Sequence, residues 1–511
     1  MELLSPSMIK FLGVEEHSGA NKLLEFNLHR LRILGVWKWD GPRCRLHKAF
    51  AFLTIIALIL CDVTQICDAY IYITDLERLS KLLLNTVFTG LLAFKNTYLL
   101  IRTNAASELI DELQNKFFTN ERLPTSQQKM ILNRYAARAK LYTIIRSNVA
   151  ISVAIFWVLN PIKEMLGEYT EELDNSQDSN DVKSSSNRTI ILQLPYVAYY
   201  PYDVEHNVLY FILTYFYQSF IILSIFTGTP AWDMLFVSVF IHTSGHFKAL
   251  QHVLIHLREN ARGALAANMN PLQFQEAIHL SEQIGSDGGS MWSMAHLSEE
   301  HGGGEGSKND RTAIQAELME QDVEEQMQNV LSKCIQHHQA ILSFVKKLEA
   351  FLKPVMLMQL LGSMIAFCVI GFQMSLIPIH TEGTKFAKLS VSLISALVEQ
   401  GMFYWFGGEL LEESSKTLNA AYYCEWYTAN SKFRKHLHIL MERAKRPVKL
   451  TAGGFSALTP ENFSKVVQSS YQYFTMIKAV HSEAQSVCCK SDADNLQFGE
   501  TMERRICYGI W

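Results

Sequence analysis

The residues of this chain that could do chemistry are few, and their spacing does not suit it. His337 and His338 are adjacent, and neighbours on a helix diverge by about 100°, so the pair does not turn two nitrogens toward one metal ion. The nine cysteines, Cys44, Cys61, Cys67, Cys334, Cys368, Cys424, Cys488, Cys489 and Cys507, lack the paired CxxC spacing of a zinc site. Cys61 and Cys67 read as packing residues, and Cys488, Cys489 and Cys507 as candidates for a disulfide. No nucleophile paired with a base and no phosphate-cradling glycine loop occurs. The expectation is no catalytic residue, no metal and no cofactor. A net charge of −4 without a basic, aromatic-interleaved tract also argues against nucleic acid as a partner.

The sequence is instead organised by apolar segments. Apolar residues make up 49% of the chain and charged ones 19%, and the apolar residues are clustered. Ala49–Ile66 contains Asp62 and no base, which reads as a transmembrane helix. Further spans are expected at Leu79–Ile101, interrupted by Lys81 and Lys95, and at about Leu141–Ile162, with Arg146 near its start. Pro354–Ile379 and Phe386–Phe406 are also long enough to be spans. The region from Asn207 to Gly245 exceeds one untilted span of ~20 residues, so by length it is one long helix or two spans. Ser469–Val480, "SSYQYFTMIKAV", is too polar for a lipid-facing helix. Gln468, Ser469, Ser470, Gln472 and Lys478 would be costly against hydrocarbon and should face protein or water.

Loop charge orients these spans. Residues 1–48 hold eight Lys or Arg, 102–140 hold seven and 409–465 hold nine, which places all three inside. Residues 163–205 hold three bases against nine acids and carry the sequon Asn187-Arg188-Thr189, a glycosylation acceptor on an outside loop. One helix in the fourth region satisfies both constraints, whereas two would place 409–465 outside. The expectation is an all-α membrane protein with seven transmembrane helices, N-terminus cytoplasmic and C-terminus extracellular. G-protein-coupled receptors have the opposite orientation. The N-terminus has no signal-peptide pattern, so span one itself should direct insertion. Helical periodicity resumes from His246 and from Ala313, consistent with helices projecting into the cytoplasm, separated by a Gly- and Ser-rich insertion at about 285–310 that reads as disordered. The domains then read as a cytoplasmic segment 1–48 and helices one to four over 49–245 with an extracellular loop 163–206. Cytoplasmic helices follow over 246–350, then helices five and six over 351–408. A cytoplasmic segment 409–462, helix seven over 463–481 and an extracellular tail 482–511 complete the chain.

The run "RPVKLTAGGFSALTPENFSKVVQSSYQYFTMIKAV", Arg446–Val480, resembles the signature of the insect odorant receptors. "LPYVAYYPYD" (Leu194–Asp203), "WDMLFVSVFIH" (Trp232–His242), "HHQAILSFVKKLEAFLKPVMLMQLLGS" (His337–Ser363) and "FGGELLEESSKTLNAAYYCEWY" (Phe406–Tyr427) support the likeness, which covers most of the chain from residue 194. The C-terminal run is similar to odorant-specific tuning subunits and not to the shared co-receptor. The Gly-rich insertion and the polar tail from His481 depart from the family pattern. The resemblance implies a ligand-gated, non-selective cation channel in the plasma membrane of olfactory neuron dendrites. It would be a tetramer formed with co-receptor subunits, with membrane lipid, a small volatile odorant and permeating cations as further partners. Helices four to seven would extend into a cytoplasmic anchor, and helix seven would line the pore.

By the same resemblance, Met476 and Val480, at i and i+4, form an apolar gate, with Gln472 and Lys478 near the ion path. Lys478 would repel cations if it faced the pore, so it is expected to snorkel or to pair with an acid. Thr459-Pro460-Glu461 should start the helix, through a cap, a proline in the first turn and an acid at the positive dipole end. Gly453 and Gly454 permit a tight turn before it. The odorant is expected in the outer half of the membrane among helices two, three, four and six. Its walls would be Val87, Phe88 and Leu91, then Ala150, Val153 and Trp157, then Phe211, Thr214 and Tyr215, and Ile394. Asp233 is expected at the cytoplasmic end of helix four in a structural role. Glu399, deeper in its span, is expected in a pair within the anchor or with a neighbouring subunit. The alternative reading is a metabotropic heptahelical chemoreceptor of inverted topology. A transporter should show inverted repeats, and none is visible.

Overall fold

The computed structural model describes residues 24–38, 44–116, 126–178, 194–204, 206–266, 306–378 and 383–495. Asn187, the core of the Gly-rich insertion and Cys507 lie outside the described residues. The described chain is almost entirely helical: α1 (Glu25–Ile33), α2 (Cys44–Ile71), α3 (Leu76–Ile101), α4 (Thr103–Asp111), α5 (Ser126–Asp178), α6 (Val208–Ile255), α7 (Leu257–Ala266), α8 (Gly306–Leu376), α9 (Gly383–Tyr422), α10 (Ser431–Ala444) and α11 (Pro460–Asn495). By length and composition, α2, α5, α6, α8 and α9 are apolar enough to cross a membrane. The polar residues of α3 and α11 dilute their hydropathy. In the fold, α3 lies along α2 and α8, and α11 along α8 and α9.

The fourth apolar region is one continuous helix of 48 residues that passes through Pro230 without a break. Its residues are buried without interruption from Pro230 to Phe247, as expected for a segment that is apolar on every side. α5, α8 and α9 surround it, and α1 closes the remaining side. There Asn27 Nδ2 donates to Ser238 Oγ (2.9 Å), while Leu24, Leu28, Leu31 and Trp37 join the same core as Trp232, Phe236 and Phe240.

α8 runs for 71 residues and α9 for 40, both well past the spans expected from hydropathy. α10 packs on both. Asn430 caps it by accepting from the Phe433 amide (2.8 Å), and Phe433, Leu437, Leu440 and Ala444 form its buried stripe. Burying each of the three large side chains contributes roughly 1.5–3 kcal/mol.

Between α10 and α11 the chain makes a two-residue hairpin, β1 (Thr451–Ala452) against β2 (Ser456–Ala457). Gly453 and Gly454 turn it with φ of +64° and +87°, a region that side chains other than glycine enter only at a cost. The hairpin is seated on α8 beside Pro354. Thr451 Oγ1 donates to Glu349 Oε1 (2.6 Å) and the Gly453 amide to the Lys353 carbonyl (3.2 Å).

Candidate functional site

Three features of the fold bear on function. The first is the outward face of α11. Phe463, Val466, Ser470, Phe474 and His481 recur at i+3 and i+4 and attach the helix to its neighbours. Phe463 lies over Gly401 and stacks on Tyr404 (5.7 Å between centroids), Phe474 meets Gly371, and His481 meets the Phe372 ring (5.5 Å). Among the other described side chains of the helix, Gln472, Met476, Lys478 and Val480 are exposed, Met476 by 66%. Gln472, Met476 and Val480, at i, i+4 and i+8, form one stripe. Lys478 lies roughly 200° around the helix from Met476, so it does not share their line. α11 also continues to Asn495, past the end expected at residue 481.

The second feature lies between the C-terminal half of α5 and the first turns of α6. Ile162, Met165, Leu166, Phe211, Ile212, Tyr215 and Phe216 line an apolar groove of about 540 Å³. Phe211 and Tyr215 were expected there. Ile212 and Phe216, the next residues round each turn, were missed, although the aromatic run "LYFILTYFYQ" carries that signal. The Tyr215 hydroxyl donates to the Val158 carbonyl and so ties the two helices together. Ala150 and Val153 are buried on α5 roughly two and a half to three turns before Ile162. Trp157 is half-buried, its Nε1 is enclosed without a partner, and the Lys388 ammonium of α9 lies 4.0 Å from its ring centroid.

The remaining candidates are not brought to this groove. Thr214 is held by the Tyr202 hydroxyl (2.9 Å). Phe88 packs with Leu84, Val369, Ile370 and Leu389 at the seam of α3, α8 and α9, and Leu91 lies against Gly362 of α8. Val87 is half-buried on the same helix. Ile394 is 60% exposed, because Leu393 and Leu397, one turn apart, take the inward face of α9 and leave residue 394 outward. Residues 194–204 pack on the first turns of α6 and on α2. Gln218 clamps this segment, its Nε2 donating to the Tyr196 carbonyl and the Tyr200 hydroxyl (3.0 Å each) and its Oε1 accepting from the Tyr196 amide (3.1 Å). Burial pushes the phenols of Tyr196 and Tyr200 up, so both remain neutral.

The third feature is a cluster of charges at the centre of the bundle. Lys95 Nζ (α3) donates to Asp233 Oδ1 (α6) at 2.6 Å, and both side chains are 1% exposed. Glu399 (α9) lies 4.0 Å from Lys95, accepts from Arg146 Nη2 (α5) at 3.2 Å and from Gln359 Nε2 (α8) at 2.9 Å. The sequence showed each of these as a lone charge in an apolar span. Asp233 is therefore a buried core residue, and Glu399 is paired within its own chain. The four spans carry Lys81, Lys95, Arg146 and Lys388 against Asp233 and Glu399, so charge counting alone did not pick out this cluster. His337 and His338 are both buried on α8, the first against His246 and the second against Phe247.

These features define a multi-pass, predominantly helical membrane protein whose last described helix presents an unpacked polar and aromatic face. The model of the family described as 7tm Odorant receptor matches residues 75–471, and the chain belongs to that family. It is 22% identical over 412 residues to Odorant receptor 13a of Drosophila melanogaster, covering 78% of this chain and 79% of that one. It is 23% identical over 340 residues to the Odorant receptor coreceptor of Aedes aegypti, covering 60% of this chain and 67% of that one. The insect olfactory receptor OR5 from Machilis hrabei, solved in complex with eugenol, has the same fold: TM-score 0.65 at 13% identity, over 90% of this chain and 98% of that one.

Proposed function

We propose that the chain is the odorant-binding subunit of a heteromeric, ligand-gated, non-selective cation channel, assembled as a tetramer with co-receptor subunits. The observation that supports this reading best is the two-sided α11. One face is packed on α8 and α9, while the other leaves Gln472, Met476 and Val480 exposed. An exposed glutamine is costly in lipid, and a face that combines it with Met476 and Val480 suits a water-filled axis with an apolar constriction, shared by several subunits. Met476 and Val480 would form the apolar constriction. The odorant would sit in the outer half of the bundle near Trp157, Phe211 and Tyr215, where the walls are apolar and polar groups are few. The chain would cross the plasma membrane seven times with its N-terminus inside, α3 and α11 supplying the two spans that hydropathy understates.

The test is co-expression with a co-receptor in oocytes and current recording against a panel of volatiles. Odour-evoked cation current that persists under G-protein block is expected. Current abolished by that block would favour a metabotropic receptor of inverted topology.

A further inference from the structure

We infer that Lys95 is a two-position switch: it can pair with Asp233 or with Glu399, and the choice sets how readily the channel opens. This rests on the channel reading above. A buried ion pair is weak support for stability, because its desolvation offsets its attraction and well-packed apolar residues serve as well or better. Yet four charges from four different helices meet here. Lys95 has two carboxylates within reach, Asp233 at 2.6 Å and Glu399 at 4.0 Å. A small side-chain shift exchanges one for the other without exposing a charge to lipid.

The surroundings accommodate either arrangement. Asp233 Oδ2, Arg146 Nη1 and Gln359 Oε1 are enclosed and lack hydrogen-bond partners, so the cluster has capacity to re-pair. Arg146 and Gln359 already hold Glu399 from α5 and α8. They can retain the carboxylate when Lys95 leaves it and share it when Lys95 arrives.

The two pairings do not leave α9 in the same place. Asp233 belongs to α6, the buried centre of the bundle, whereas Glu399 belongs to α9. Drawing Lys95 onto Glu399 pulls α9 toward α3. Two residues further along α9, Gly401 faces the ring of Phe463 at the base of α11, at 3.5 Å from where a Cβ would stand. Gly408 sits closer still on Pro460, the first residue of α11, at 2.7 Å from where a Cβ would stand. A shift of α9 is therefore transmitted to the pore helix, and α3, α5 and α6 bring in the helices around the candidate odorant site.

The test uses Asp233→Asn and Glu399→Gln in the full chain, co-expressed with co-receptor, reading the half-maximal odorant concentration and the odour-free current. Each variant leaves Lys95 one carboxylate, and each asparagine or glutamine retains an acceptor oxygen. The two should shift the half-maximal concentration in opposite directions, by about fivefold or more each way, the range of ordinary coupling between sites. A purely structural role would move both the same way or neither, and either result overturns the inference. For a variant that does not reach the surface, Lys95→Met with Asp233→Leu removes both charges and leaves none alone. A wild-type half-maximal concentration in that double variant overturns the switch. Absence of any odour-evoked current from the unaltered chain would instead count against the channel reading itself.

Discussion

Gly454 shows how much one residue can decide. Its φ of +87° is disfavoured for any side chain, and a Cβ there would meet the Lys353 side chain at 2.6 Å. Gly454→Ala should destabilise the hairpin by about 1–2 kcal/mol from backbone strain alone, read as a lower melting temperature of the detergent-solubilised protein. His338, well before Pro354 on α8, gives a pH signature. Burial, with Arg443 nearby as the lesser cause, holds its imidazole down to about 4 from an ordinary 6.5. Between those values the unfolded chain binds the proton that the folded chain refuses, so stability rises with pH. It should be complete above about pH 6.5 and decline as pH falls toward 4. Melting measured across that window should flatten in His338→Gln. Lys95 shows why part of the site was illegible: its partner is 138 residues away, and one sequence reports a lone charge where the fold makes a pair.

At the scale of elements, the faces of α11 separate two roles. Met476→Ser should raise the odour-free current several-fold, because a polar side chain in an apolar constriction favours water there. Lys478→Gln should leave that current and the reversal potential unchanged, since Lys478 lies off the line of Gln472, Met476 and Val480. A reversal potential that moves on removing the lysine would place the charge in the ion path. The turn chemistry around this helix was legible in advance, because Gly453-Gly454 and Thr459-Pro460-Glu461 act locally. The groove was legible only in part. Phe211 and Tyr215 stand on the face of α6 that meets α5, but Leu91 and Ile394 were assigned by helix and not by face, and a rotation of 100° about α9 is enough to move a residue outward.

At the scale of the whole molecule, charge bias predicts an orientation that hydropathy alone leaves open. If the segment before α6 is outside, Asn187→Gln should abolish a mobility shift on glycosidase treatment. A tag on the N-terminus should stay inaccessible to antibody in unpermeabilised cells while one on the C-terminus is reached. The single long α6 was one of two readings by length and was favoured by the charge of distant loops. Its burial by α1, α5, α8 and α9 was not visible at all, since a continuous apolar run looks the same whether lipid or protein surrounds it.

The charge cluster also bears on biosynthesis. If α3 is a span, it enters the membrane carrying Lys95, and the acid that neutralises it is not synthesised until 138 residues later. Arg146 waits longer still, for Glu399, 253 residues on. Until then each early span carries a lone cation that hydrocarbon rejects, so release into the bilayer should be delayed until α6, and finally α9, have emerged. Chains truncated before Asp233 should be held at the insertion machinery or degraded, while chains that extend past Glu399 escape.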